Sequence, residues 1–584
     1  MEKSEKLQKI RHSLAHLLAA AVIKLYPGTK RTIGPAIDNG FYYDFEFKEP
    51  ITEKDLPKIE KEMKKLLKSW KSFEGREISA QAAREIFKDN PYKLELIEEF
   101  SKDGQTLTMY KSSEYFEDLC RGGHADDMSE IDPESFKLSK IAGAYWRGDE
   151  KNAMLTRVYG LAFESKEKLD EYLKMIGEAE KRDHKILGPK LDLFVFSELV
   201  GTGLPLWTPK GTLVRDLLDD YVWKLRKQIG YQKVEIPHIT KKDLYETSGH
   251  WAKFKEDLFR INTREGHEFA MKPMNCPHHT QIFARKQFSY REMPQRYANT
   301  TMVYRDEQSG ELSGLARVRS ITQDDAHVFC RFGQVKHELG AIWDKVVVPF
   351  YQSFGFELRL RLSLHDPKQP EKYLGGLERW AQAEGMLREL ALERSMEFYE
   401  AQGEAAFYGP KLDFMAKDSM GREWQVATIQ LDMNMPEKFD LICINEQGEK
   451  ERVVMLHAAI MGAIERFLSI LIEHTAGAFP LWLSPVQISI LPISENQTAY
   501  AGEIYEKLIS SNEDWRIEVD ARGESIGKKI RESSIQKVPY QIIIGQKELD
   551  AKLIAVRTRE GQDLGQMSLG DFIKKIETEI KEKK

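Results

Sequence analysis

Cysteine is scarce. The chain has four in 584 residues (Cys120, Cys276, Cys330 and Cys443), far apart and with no CxxC pair. That spacing argues against a disulfide scaffold and suits a reducing cytoplasm. A large charge excess is also missing. The net charge of −6 gives no general affinity for polyanions, so any nucleic-acid surface has to be local. No apolar run approaches the length of a membrane span, and the start, Met1 to Lys6, has no signal core. The expectation is a soluble cytoplasmic protein with no membrane partner. What is present is apolar content of 41%, enough for several cores. The length predicts three or four domains on a prior of roughly 100–200 residues each.

The richest stretch runs from Tyr304 to His327. It reads as two strands joined by a polar connection in which Ser309-Gly310 and Ser313-Gly314 supply turn chemistry. Strand alternation puts Arg317, Arg319, Ile321, Gln323, Asp325 and His327 on one face. Cations, an amide, a carboxylate and an imidazole in one row can hold a phosphate at one end and an amine or a metal at the other. The competing reading is an exposed polar face on an edge hairpin. The order resembles motif 2 of the class II aminoacyl-tRNA synthetases, and Gln323-Asp324-Asp325-Ala326-His327 resembles the threonyl-tRNA synthetase version.

Taken in order, residues 1–165 form a first unit. Arg11 to Tyr26 has helical apolar spacing and stops at Pro27-Gly28. His12 and His16 share one face of that helix, and Phe41 to Phe47 alternates like a half-buried strand. Cys120 and His124 repeat the i,i+4 spacing. Together the pairs either chelate zinc or form an acid–base pocket, the bland reading being two unrelated pairs. The combination resembles the editing domain shared by threonyl- and alanyl-tRNA synthetases. Glu164 to His184 is charge-dense and helical in pattern, which predicts a linker helix over 166–187 with Pro189 marking its end.

Residues 188–480 form the second unit. A helix from Leu213 to about Ile229 and a strand from Tyr231 to Ile236, closed by Pro237, resemble motif 1. Met271 to Pro277 precedes the central hairpin. Phe407 to Lys411, Arg422 to Gln425 and Thr428 to Asp432 follow it. Val453 to Thr475 is apolar at helical spacing, and its Gly462-Ala463-Ile464-Glu465-Arg466 resembles motif 3. Gly188-Pro189-Lys190-Leu191-Asp192 recurs at Gly409 to Asp413, but the flanks diverge, so this is chance and not a repeat.

From 481 to 584, strands at Gln487–Pro492, Arg516–Val519, Tyr540–Ile544 and Lys552–Arg559 alternate with helices at Tyr500–Ser510 and Ile526–Val538. The pattern predicts an α/β domain with a mainly parallel sheet. Between Arg522 and Arg559 nine Lys/Arg stand against four Asp/Glu, which is either a solvated face or an RNA backbone surface. Gly523 to Lys529 is one residue short of a P-loop and has Lys where Ser/Thr should bind magnesium, so it is not one. The layout resembles the anticodon-binding domain of the threonyl, prolyl, histidyl and glycyl enzymes.

The resemblance to threonyl-tRNA synthetases covers essentially the whole chain. It implies an α+β multidomain fold: an antiparallel class II catalytic core, an α+β editing domain and an α/β anticodon-binding domain. It implies a cytoplasmic homodimer that joins L-threonine to tRNA(Thr) through threonyl-adenylate and hydrolyses mischarged Ser-tRNA(Thr). For ATP and its Mg²⁺ it implies Arg305 on the α-phosphate, Glu307 at the adenine amine, Arg317 on the phosphates, Gln323 and Gln425 in the site, and Arg466 against adenine. Cys276, His327 and His457 match the family's zinc ligands. Asp325, Tyr408, Lys411 and Gln430 match its threonine pocket. His12, His16, Lys93, Asp118, Cys120 and His124 match the editing site, and Glu548 and Arg557 match anticodon contacts. A metal that requires a hydroxyl rejects valine. Serine keeps the hydroxyl, so a second, hydrolytic site is needed.

Three departures stand out. The resemblance begins almost at the editing helix, so the family's small N-terminal domain is expected to be lacking. Ile321 stands where an aromatic usually covers adenine, and Gly523 replaces a common Asn. The alternative function is a non-catalytic RNA-binding relative, whose mark would be loss of Arg305, Arg466 or a zinc ligand. All are present.

Overall fold

The computed structural model describes residues 2–113, 116–374 and 376–583. The chain forms two compact units, Met1–Glu178 and Ala179–Lys584. The division falls inside the helix Lys166–Arg182.

In the first unit the helix Glu2–Leu25 is long because its first three turns are rich in good helix formers and the stretch Ser13–Val22 is buried all round. Leu14, Leu17, Leu18, Ala21 and Val22 are fully buried, each large side chain stabilising by about 1.5–3 kcal/mol. They meet Phe41, Tyr43 and Phe45 from the strand Gly40–Glu46, the alternating aromatic stretch of the sequence. That strand belongs to a five-stranded antiparallel sheet. A second, three-stranded sheet joins Glu74–Glu77, Thr108–Ser113 and Phe116–Leu119. Cys120 and His124 follow its last strand, not on a helical turn as their spacing suggested. Gly122 and Gly123 between them have φ of 88° and 82°, a left-handed turn that brings the two side chains together by a different route.

The charge-dense linker is two helices, Lys166–Arg182 and His184–Lys190. It breaks at Asp183, whose side chain caps the second helix, and Pro189 lies inside that second helix, not at the end of the first.

A nine-stranded sheet dominates the second unit. Its main path runs Gln232–Lys233, Gln295–Tyr304, Ser320–Cys330, Val454–Ala459, Glu423–Asp432, Lys411–Lys417, Glu357–Leu364, Phe398–Gln402. All pairings are antiparallel except the two outermost. The expected strand Tyr231–Ile236 shrinks to Gln232–Lys233. The stretch Val453–Thr475 is a strand, Val454–Ala459, then a bridge at Gly462–Ala463 and only then a helix, Ile464–Thr475. A strand covered on both faces gives the same unbroken apolar run as a buried helix, so periodicity alone could not separate them. The two copies of the Gly-Pro-Lys-Leu-Asp string lie in a helix and at a strand start, as unrelated sequences do.

The C-terminal sheet orders Ile517–Val519, Ile488–Pro492, Tyr540–Ile544, Ile554–Thr558 and Asp563–Met567. Its first two pairings are parallel and its last two antiparallel, so the expected mainly parallel sheet is mixed. The last strand, the short helix Gln546–Ala551 and the closing helix Leu569–Glu582 were not among the expected elements, although Ser568 caps the closing helix and Leu569, Phe572, Ile573, Ile576 and Ile580 give it helical apolar spacing.

Candidate functional sites

The hairpin strands Gln295–Tyr304 and Ser320–Cys330 frame a cavity of about 480 Å³ lined by Arg305, Glu307, Arg317, Ile321, Gln323, Gln425 and Arg466, among others. Arg305 points into it with its Nε buried and without a partner, beyond a weak contact to the Met274 sulfur and the Phe254 ring 5.4 Å away. Burial pushes its guanidinium below the usual arginine range. A desolvated cation with unspent donors is a receptor for an anion. Arg466 projects from the first turn of Ile464–Thr475 and is also lowered by burial. Arg317 pairs with Glu307 at 2.6 Å and with Glu311 at 3.1 Å. The strand begins only at Ser320, so Arg317 and Arg319 both lie before it, outside the expected row, and only Arg317 of the two lines the cavity. Arg319 turns elsewhere. It donates instead to the carbonyls of Glu307 and Thr202. Gln425 donates to Asp413 and Thr428 and accepts from Arg361 at 2.7 Å, three partners that hold its amide still.

Beyond Gln323 the same face carries Asp325 and then His327. Asn275 Nδ2 donates to both Gln323 and Asp325, at 3.3 and 3.1 Å. Cys276, His327 and His457 arrive from a helix start and two neighbouring strands, and their donor atoms lie within 4.8 Å of one another. His327 Nε2 and His457 Nδ1 are 3.1 Å apart. Asp432, which already accepts two backbone N–H groups, accepts a third hydrogen bond from the His457 Nε2–H at 3.1 Å. That fixes the tautomer and leaves His457 Nδ1 bare, aimed at the cluster centre. Burial pushes the Cys276 thiol well up and His327 well down. One soft sulfur and two imidazoles, one oriented by a carboxylate behind it, are a donor set that fits a zinc ion. Around it, the buried Tyr408 ring lies 5.3 Å from that of His457. Gln430 sits directly opposite His457 on one side and Lys411 on the other, and donates to the Gly409 carbonyl at 3.3 Å. Lys411 Nζ pairs with Asp413 at 3.1 Å. Gly409 is required here, because a Cβ would stand 1.8 Å from the Leu431 carbonyl oxygen.

In the first unit a cavity of about 400 Å³ is lined by His12, His16, Lys93, Asp118 and Cys120. Cys120 Sγ is 3.5 Å from His12 Nε2 and 3.4 Å from His124 Nε2. The His12 and His16 rings pack edge to face at 5.1 Å, and His16 Nδ1 is buried without a partner. Burial lowers all three imidazoles, His124 to about 3, and raises the Cys120 thiol to about 11. At neutral pH the cluster therefore presents neutral imidazoles and a thiol. Asp118 lies behind it, fully buried. It pairs with Lys93 at 2.8 Å and Arg31 at 3.2 Å, and it accepts from Tyr43 at 2.5 Å. Burial, the largest influence, works against its charge, but the two cations win and keep it ionised. Removing one partner of such a pair leaves the other charge buried, at a cost of about 3–5 kcal/mol.

In the C-terminal sheet Glu548 accepts from the Gly545 N–H at 2.9 Å and from Gln566. Arg557 stands on Ile554–Thr558 opposite Gln541 and Asp563.

Three family descriptions match this chain. They are the tRNA synthetase class II core domain (G, H, P, S and T) over residues 259–475, an anticodon-binding domain over 487–579, and the threonyl and alanyl tRNA synthetase second additional domain over 107–159. The threonine--tRNA ligase of Cytophaga hutchinsonii is 49% identical over 575 residues, 97% of this chain and 88% of that protein. The Thermotoga maritima threonine--tRNA ligase is 46% identical over 588 residues, 100% of this chain and 90% of that one. The chain belongs to the threonyl-tRNA synthetase family. Among solved structures, the RNA-binding domain of the Cryptosporidium parvum threonyl-tRNA synthetase superimposes with a TM-score of 0.64 at 35% identity, covering 68% of this chain and 98% of that one.

The second unit thus gathers the expected ATP, threonine and metal residues of a threonyl-tRNA synthetase around one sheet face, some from its strands and some from the helices and loops beside it, and the first unit gathers the expected editing residues. Sequence reasoning missed the residues that hold these in place. His279 Nδ1 lies 2.8 Å from His327 Nδ1, His250 Nε2 lies 3.8 Å from Cys276 Sγ, and Asp432 fixes His457. Asn275, Cys276 and His279 sit within one short string, and that clustering was the only available signal. His250 and Asp432 carried none.

Proposed function

We propose that ATP binds in the Arg305–Arg466 cavity and threonine beside Cys276, His327 and His457, so that the two reactants meet along one strand face. The family joins threonine to tRNA at the expense of ATP, with Mg²⁺ accompanying the nucleotide, and the chain carries the editing module as well. No catalytic position is lost, so nothing favours a non-catalytic relative. The observation that carries the site reading is the continuity of the face: phosphate-seeking arginines at one end, Asp325 and the Cys-His-His cluster at the other.

In that arrangement Arg305 grips the α-phosphate. The threonine carboxylate attacks phosphorus, the bond to the bridging oxygen breaks, and pyrophosphate leaves with the negative charge. Arg305, Arg317 and Arg466 are donors already aimed at the place where charge develops. Glu307 exchanges Arg317 for the adenine amine, and Gln323 and Gln425 bracket the nucleotide. Asp325 holds the substrate amine. Tyr408, Gln430 and Lys411 close the pocket. Cys276, His327 and His457 would hold one zinc ion per chain, which would supply a Lewis-acid contact for the hydroxyl of threonine that valine lacks. Arg305→Ala should cut threonine-dependent ATP–pyrophosphate exchange by about 10²–10³. Near-normal exchange would put ATP elsewhere.

For the first unit we infer hydrolysis of Ser-tRNA(Thr), with a neutral imidazole of His12, His16 or His124 activating water. Lys93 and Asp118 form the floor and Cys120 one wall. For the C-terminal domain the reading is anticodon contact through Glu548 and Arg557. The homodimer expected from the motif 1 resemblance, with an interface that includes Leu213 to Pro237, gains support from apolar side chains exposed just before the helix Pro209–Gln228: Phe196, Val200 and Leu206 are exposed and Leu199 is 99% so. The neighbouring Gly203 carbonyl accepts from the Arg319 N–H, so covering this patch would brace the phosphate-binding hairpin. No described helix is long and apolar enough to cross a membrane.

A further inference from the structure

The loop between the hairpin strands carries Glu307 and Arg317 over the ATP cavity, yet it is long and polar. Backbone contacts tether its two ends, the Asp306 N–H to the Asp257 carbonyl and the Arg319 N–H to the Gly203 carbonyl. Its middle is held by a side chain from a distant part of the chain. His184 opens the helix His184–Lys190, and its buried Nε2 accepts from the Leu315 N–H at 3.1 Å. Gly314 packs against the same ring, so close that a Cβ there would stand 2.4 Å from Nε2. Leu315 itself is fully buried in the core of the second unit. From this anchor the loop turns back at once: Ala316 and Arg317 donate to the Ser313 carbonyl, and Ser313 donates to that of Arg317.

The other side of the ring explains why Nε2 is free to accept. His184 Nδ1 lies 2.7 Å from Glu473 Oε1, which also accepts the His184 backbone N–H. Glu473 Oε2 accepts from Arg422 at 2.5 Å. A carboxylate pinned by an arginine can only accept, so the imidazole proton resides on Nδ1 and Nε2 is bare. Glu473 stands near the end of the same helix, Ile464–Thr475, that carries Arg466 in its first turn.

Asp183, His184 and Glu473 also have metal-like spacing. Their lone pairs are spent on protein donors, however, Asp183 Oδ1 on the Lys185 N–H and Glu473 on His184 and Arg422. This is a hydrogen-bond relay and not a cation site.

We propose that His184 is a positioning residue for ATP: held in one tautomer by Glu473, it hooks the Leu315 backbone and so couples the helix bearing Arg466 to the loop bearing Glu307 and Arg317. The proposal rests on the assignment of that cavity to ATP. The relay touches no reacting atom, so its effect should fall on nucleotide affinity and leave threonine binding alone.

The test is threonine-dependent ATP–pyrophosphate exchange by the full chain at varied ATP. His184→Asn keeps a donor toward Glu473 but is too short to reach Leu315. It should raise the KM for ATP by about tenfold, the worth of one ordered hydrogen bond, with the KM for threonine unchanged. His184→Gln places an acceptor oxygen near the Nε2 position and should recover most of that loss. Gly314→Ala keeps His184 and Glu473, adds a Cβ against the ring and the Lys185 stem at a left-handed φ of 50°, pushes the loop off the ring, and should raise the KM for ATP in the same way even if His184→Asn fails to fold. An unchanged KM for ATP in His184→Asn or in Gly314→Ala would overturn the proposal. So would equal impairment of the Asn and Gln variants, or a loss confined to Tm. Arg305→Ala serves as the control: normal exchange in that variant would refute the ATP site itself, whatever the relay does.

Discussion

Cys276 is buried, its thiol is pushed well above the ordinary range by burial, and yet two imidazoles converge on it. Without a cation this arrangement is costly, because His457 Nδ1 is bare and faces another ring nitrogen. With a cation the same burial becomes favourable, since the thiolate gains a partner. Cys276→Ala should therefore lose both bound zinc, read by elemental analysis, and threonine activation. Full activation by a metal-free protein would show that the cluster is structural. These ligands could not be found by spacing, since His327 and His457 are separated by 130 positions. Only the resemblance pointed to them. The sheet explains the distance: His327 and His457 are direct cross-strand partners, a relation that sequence separation does not record.

At the scale of elements, the pair His12/His16 was legible because one helical turn puts both on a face, and the helix Glu2–Leu25 does so. Cys120/His124 has the same spacing and a different cause, a glycine turn after a strand. The convergence was legible while the element was not. The same limit governs Val453–Thr475, where a buried strand and a buried helix share one hydrophobic pattern, and the C-terminal sheet, where strand positions were read well and strand directions were not. The editing cluster yields a prediction at this scale because it draws on a helix and a loop of the first unit alone. His12→Ala combined with His16→Ala should leave threonylation intact and let Ser-tRNA accumulate when preformed Ser-tRNA and Thr-tRNA are assayed. Serine is the smaller substrate, and a pocket that excludes the extra methyl of threonine is the second sieve. Clearance of Ser-tRNA at the unmutated rate would remove this unit from editing without touching the synthetic site.

For the whole molecule, the chain joins a synthetic core, an editing module and an anticodon-type domain, each with its own sheet. The exposed stretch around Leu199 predicts a dimer by light scattering, and a fully active monomer would contradict it. The central claim is that one sheet face selects threonine and activates it. ATP–pyrophosphate exchange with threonine, serine, valine and proline in parallel tests this most directly. Threonine should drive the fastest exchange. Serine, which keeps the hydroxyl and lacks one methyl worth about 1–3 kcal/mol, should drive it measurably but more weakly, and valine and proline should be silent. Valine or proline activated as well as threonine, or no exchange with threonine at all, would contradict the assignment of Cys276, His327 and His457 as the selecting site.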